Sequence, residues 1–123
     1  MARYPGLTLR VLRDGGPAMG PGKAALIEQI DSLGSISAAA REMGMSYRRA
    51  WQLVEALNDS FAKPIVITEV GGQRGGGASV TPFGRRIVAA YRAMEQRASG
   101  VIAHDLASFR RHLKPSSRRG KPV

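Results

Sequence analysis

Gly34-Ser35-Ile36-Ser37-Ala38-Ala39-Ala40-Arg41-Glu42-Met43-Gly44-Met45-Ser46-Tyr47-Arg48-Arg49-Ala50-Trp51-Gln52-Leu53-Val54-Glu55-Ala56-Leu57-Asn58-Asp59-Ser60-Phe61 is the stretch that decides the fold. Ser35 or Ser37 can cap a short helix over Ile36–Met43, since a serine oxygen accepts a backbone N–H that a helix start leaves without a partner. Gly44 stops that helix because glycine takes the left-handed conformation without a side-chain clash. Ser46 caps the next helix, which runs to about Ser60 with Ala50, Leu53, Val54, Leu57 and Phe61 returning at helical intervals. The small alanines Ala38, Ala39 and Ala40 let the two helices approach closely. Two such helices joined at Gly44-Met45-Ser46 form a helix-turn-helix.

Outward from this stretch the pattern is equally local. Upstream, Leu26, Ile27, Ile30 and Leu33 form one apolar stripe on a helix starting at Pro21 or Lys23 and closing at Gly34. Before it, residues 7–13 alternate apolar and polar at Leu7, Leu9 and Val11, which predicts an N-terminal strand ended by Asp14-Gly15-Gly16-Pro17. Downstream, residues 64–70 are rich in β-branched side chains and can pair with residues 78–81. Between them lies the glycine-rich Gly71-Gly72-Gln73-Arg74-Gly75-Gly76-Gly77. Two strands around such a tip, directly after a helix-turn-helix, make a wing. Thr81-Pro82 then opens a long helix with Phe83, Ile87, Val88, Tyr91 and Met94 as its stripe. A bend or break is expected at Ser99-Gly100, and the stripe resumes at Val101, Ile102, Leu106, Phe109 and Leu113. The expected fold class is mainly α with a small β-hairpin wing: a winged helix-turn-helix with an N-terminal strand and a long C-terminal helix.

The 123 residues suffice for one domain. We divide them into a winged helix-turn-helix at 1–98, a helical extension at 99–114 and a basic tail at 115–123. Charge is the outlier, with 19 Lys and Arg against 9 Asp and Glu, a net of +10 that favours a polyanionic partner. Residues 1–40, 41–80 and 81–123 carry nets of +1, +1 and +8. A chain without cysteine has no disulfide, thiolate metal site or Cys nucleophile. Its two histidines, His104 and His112, are poor material for zinc or triad chemistry, and Glu42, Glu55, Asp59 and Glu69 show no metal-ligand spacing. Gly20-Pro21-Gly22-Lys23 departs from a nucleotide-binding loop, with Pro17 at its first position and Ala24 where a magnesium-binding hydroxyl belongs. Neither a signal peptide nor a membrane span is recognisable. We therefore expect a cytoplasmic protein that is not an enzyme and uses no cofactor or metal.

Duplex DNA is the expected partner. With the core stripe of the third helix turned inward, Tyr47, Arg48, Trp51, Gln52 and Glu55 lie on its other faces, near the end that reaches base edges in a major groove. Arg49 is a further candidate contact; the other reading makes Arg48 and Arg49 solvated surface charges and Trp51 an edge-of-core aromatic. Arg48 suits guanine and Gln52 suits adenine. Ser46 suits a phosphate, and Ser35 and Ser37 are further candidate DNA contacts. Two readings stand for Gln73 and Arg74. They are either a loose hairpin tip or a backbone and minor-groove contact, with glycines permitting close approach. Arg85 and Arg86 either touch phosphates or face solvent. The apolar positions Ile87, Tyr91, Met94, Ile102, Leu106 and Phe109 exceed what one core needs, which predicts a homodimer; two-fold symmetry also doubles the phosphate contacts. The alternative is a sequence-neutral, nucleoid-type nucleic-acid-binding protein resting on the basic C-terminal third.

Ser35-Ile36-Ser37-Ala38-Ala39-Ala40, Met45-Ser46-Tyr47-Arg48-Arg49-Ala50-Trp51, Gly71-Gly72-Gln73-Arg74-Gly75-Gly76-Gly77-Ala78 and Thr81-Pro82-Phe83-Gly84 together resemble the N-terminal DNA-binding domain of the ModE family of molybdate-responsive regulators, a LysR-like winged helix. The resemblance covers about residues 5–98. It implies a recognition helix at 46–60, a wing at 65–81 and dimerisation on the helix opened by Pro82. The family's oxyanion-binding domains lie beyond the residues that carry the resemblance, so direct molybdate binding is not expected of this stretch.

Overall fold

Three hydroxyl caps set the frame of the chain in a computed structural model that describes residues 6–69 and 77–115. Helix α1 spans Pro21–Leu33, α2 Ile36–Met43 and α3 Tyr47–Ser60. Ser35, rather than Ser37, caps α2, its Oγ accepting from the Ala38 N–H at 3.0 Å, and Ser46 caps α3 by accepting from Arg49 N–H at 3.0 Å. Each such cap stabilises its helix by about 1 kcal/mol. Gly44 adopts φ +69° and Met45 N–H then closes back on the Ala40 carbonyl at 3.0 Å, so the chain reverses within a few residues. Ala39, Ala40 and Ala50 are fully enclosed where α2 and α3 pack.

The core gathers Leu26, Ile27 and Ile30 from α1, Ile36 from α2, Val54 and Leu57 from α3, and the strand residues below. Leu53 and Phe61 are half-buried against it. Leu33 departs from the expected stripe: it is 45% exposed, because α1 ends there and the chain turns away at Gly34.

Strands β1 (Val11–Arg13) and β2 (Gly16–Met19) form an N-terminal antiparallel hairpin. This corrects the expectation of a lone strand over 7–13 with Asp14-Gly15-Gly16-Pro17 as the turn that ends it. Asp14 and Gly15 take positive φ, the backbone of a two-residue hairpin turn, and Gly16 and Pro17 are already inside the returning strand. Proline is tolerated there because a two-stranded sheet has only edges. Leu7 and Leu9 alternate for another reason: both are half-buried, and Leu9 packs against the core.

The wing strands β3 (Val66–Glu69) and β4 (Gly77–Val80) pair antiparallel with Val66 opposite Val80 and Glu69 opposite Gly77. The glycine-rich segment between them, including Gln73 and Arg74, lies outside the described residues, as does the tail from 116 on. Helix α4 covers Pro82–Val101 and is capped by Thr81, whose Oγ1 accepts from Gly84 N–H at 2.8 Å and donates to the Pro64 carbonyl at 2.7 Å. At Gly84 any Cβ would stand 2.5 Å from the Ile65 carbonyl oxygen, so only glycine lets α4 lie this close to the wing root. Two ion pairs tie α4 to α1: Arg85 to Asp31 at 3.0 Å and Arg92 to Glu28 at 2.8 Å. Arg92 also holds the nearly buried Glu95 at 2.8 Å. Hydrogen bonding to Glu28 keeps the Arg92 guanidinium above its already high range. The helix breaks at Ile102, two residues beyond Gly100, before α5 (Ala103–Arg110) continues.

Candidate nucleic-acid interface

The outer face of α3 is bare. Tyr47 is 53% exposed, and Arg48, Arg49 and Gln52 are exposed as well, with no part of the described chain lying over them. Trp51 is half-buried, its ring packed against the core, so it presents an edge and braces its neighbours. Among the described residues no carboxylate pairs with Arg48 or Arg49, which leaves both guanidinium groups available to an external acceptor. Ser46 is exposed, and a capping hydroxyl still has its hydrogen to donate. Ser35 is half-buried in the same capping role, while exposed Ser37 accepts from Arg41 at 3.3 Å.

Charge runs along this helix in one direction. Arg48 and Arg49 sit in its first turn, whereas Glu55 and Asp59 lie on its rear half, where with Trp51, Gln52 and Asn58 they line a depression of about 620 Å³. The front therefore attracts a polyanion and the back repels one.

Asn58 is the residue that sequence reasoning missed. Its Oδ1 accepts from Ile65 N–H at 2.8 Å and Val66 N–H at 3.1 Å, and its Nδ2 donates to the Val66 carbonyl at 2.9 Å. One amide thus fastens the root of the wing to α3. The signal was an asparagine in a helix interior, where its side chain otherwise competes with the backbone. From the other side, Ala78 N–H donates to the Gly34 carbonyl at 3.1 Å and holds β4 against the start of the helix-turn-helix.

Of the two cations opening α4, Arg85 is engaged by Asp31, and Arg86 is exposed. The six apolar positions expected to meet a second copy divide unevenly. Tyr91 needs correction: it is 1% exposed, filling its own subunit's core with its hydroxyl donating to the Leu9 carbonyl at 2.7 Å, so it has no surface to offer. Ile87, Ile102 and Leu106 are half-buried, and Met94 and Phe109 are 44% and 64% exposed. Met94, Ala98, Val101 and Ile102 join Leu7 and Leu9 around an apolar depression of about 490 Å³. No group of three His, Asp or Glu among the described residues is placed to hold a metal. No helix there is long and apolar enough to cross a membrane.

Residues 23–85, from the first turn of α1 through the wing to the start of α4, match the model of the bacterial regulatory helix-turn-helix proteins of the lysR family. The chain belongs to that LysR-type family. The chain is similar to the molybdenum-pterin-binding protein MopB of Rhodobacter capsulatus, 48% identical over 84% of this chain and 37% of that protein. It is also similar to the molybdenum transport protein ModE of Azotobacter vinelandii, 35% identical over 85% of this chain and 43% of that protein. The DNA-binding transcriptional dual regulator ModE of Escherichia coli K12 is 33% identical over 69% of this chain and 34% of its own length. The chain spans less than half the length of these relatives. The likeness to ModE drawn from the helix-turn-helix and wing motifs holds, and the LysR-type winged helix is the fold observed.

Proposed function

We propose that this LysR-type chain regulates transcription by binding duplex DNA in a sequence-specific manner as a homodimer. The observation that carries the reading is the uncovered, cation-fronted face of α3. Helix α3 enters the major groove by its N-terminal end, where Arg48 contacts guanine and Gln52 contacts adenine while Tyr47 and Arg49 meet the flanking backbone. Ser35, Ser37 and Ser46 donate to phosphates, and Trp51 keeps the helix seated. The wing tip, residues 71–77 with Gln73 and Arg74, reaches the adjacent backbone or minor groove. Its root is supported for that purpose by the Asn58 bonds to residues 65 and 66. Met94, Ile102, Leu106 and Phe109, with Ile87 at the margin, meet the second copy and set the spacing of the half-sites. The regulator names of the relatives support the same reading.

Selection of bound duplexes from a random pool tests it. The expected result is an inverted repeat enriched over successive rounds. A pool that stays random while still binding favours the sequence-neutral alternative and overturns the proposal.

A further inference from the structure

Gly20-Pro21-Gly22-Lys23 is no nucleotide loop, yet its lysine is held in a definite place. Lys23 stands in the first turn of α1 and donates from Nζ to the Pro17 carbonyl of β2 at 2.9 Å. Strand β2 packs against α3, and α1 packs against α3 as well, so this ammonium is fixed beside the reading helix. Arg49 rises from the first turn of α3. Partial burial, and after it the positive charge of Arg49, push the Lys23 ammonium below its usual range, so the two cations feel each other. Among the described residues neither has a carboxylate partner, because Glu28 and Asp31 of α1 face α4 and are taken by Arg92 and Arg85. Arg49 is exposed and Lys23 is partly exposed.

We infer that Lys23 and Arg49 together clamp a backbone phosphate of the bound duplex, making α1 a second DNA-contacting element beside α3. The inference rests on the DNA-binding reading above. Like charges on packed neighbouring elements repel, and a phosphate oxygen between them relieves that repulsion; such an oxygen is the anion that a reading helix brings to this place. The Pro17 carbonyl spends one of the three ammonium hydrogens on orientation and leaves two for the phosphate. The contact is blind to sequence, since every nucleotide carries the same phosphate.

Fluorescence anisotropy on a selected duplex and a scrambled one, across about 50 to 200 mM salt, tests the clamp. Each phosphate contact contributes about 3.5-fold to the loss of affinity over that range. Lys23→Gln should remove about one such factor on both duplexes alike and leave their ratio unchanged. Lys23→Arg should restore the wild-type slope. Lys63→Gln, beyond the far end of α3, should keep it. Arg49→Gln, at an exposed position that does not threaten folding, should flatten the slope as Lys23→Gln does. An unchanged slope in Lys23→Gln overturns the clamp whatever Arg49→Gln does, and so does a shift in base preference in Lys23→Gln. A wild type that binds both duplexes equally sinks the base-reading proposal and still lets the slopes decide the clamp.

Discussion

Arg48 and Asn58 share one helix and do opposite work. Arg48 is exposed and touches nothing that the fold needs. Arg48→Ala should therefore leave thermal stability within about 0.5 kcal/mol of wild type. The same change should relax base preference at one operator position by about 1–3 kcal/mol, measured by competition among single-base operator variants. Asn58→Ala should do the reverse. It strips partners from two N–H groups and a carbonyl, a loss of about 2–3 kcal/mol in urea unfolding. Its damage to DNA binding should fall on all sequences evenly, because what loosens is the wing root.

At the scale of elements, α2 and α3 were legible because their determinants are local: a serine before each helix, Gly44 after the first, alanines where the two cross. The wing strands were legible too, from β-branched residues and the glycine run. Asn58 was not, because its partners stand seven and eight residues further along the chain and a pattern of helical intervals does not contain them. Nor was the division of the α4 stripe, where Tyr91 faces inward and Met94 outward although both sit on one apolar band. The N-terminal hairpin hid for a third reason: Gly16 and Pro17 have turn chemistry but lie in a strand. Tyr91 also gives α4 a measurable signature. Burial, and after it the neighbouring Glu95, push its hydroxyl up to about 12. A phenol raised in the folded state lends stability that is complete below its unfolded value near 10 and fades as pH climbs toward 12. Wild type should lose about 2–3 kcal/mol across that window relative to Tyr91→Phe, followed by chemical denaturation at each pH.

The whole molecule is organised around two surfaces, a cationic one on α3 and an apolar one on the outer side of α4 and α5. A stable partner contact needs about 800 Å² from each copy. Met94, Val101 and Phe109 are all exposed along these two helices. Met94→Lys should place a charge in that contact and shift sedimentation from dimer to monomer, while the melting temperature of the monomer stays near its original value because Met94 is 44% exposed. Operator affinity should then fall far more than affinity for an isolated half-site. Between the two surfaces stand the bridges from Arg85 to Asp31 and from Arg92 to Glu28, both partly open to water. In the dimer proposed above, these bridges would gear the stride of the pair along its operator to α1, and from α1 to the tooth that engages the groove. Mobile ions slacken gearing of this kind, so tolerance for an operator one base pair too long or too short should widen in brine.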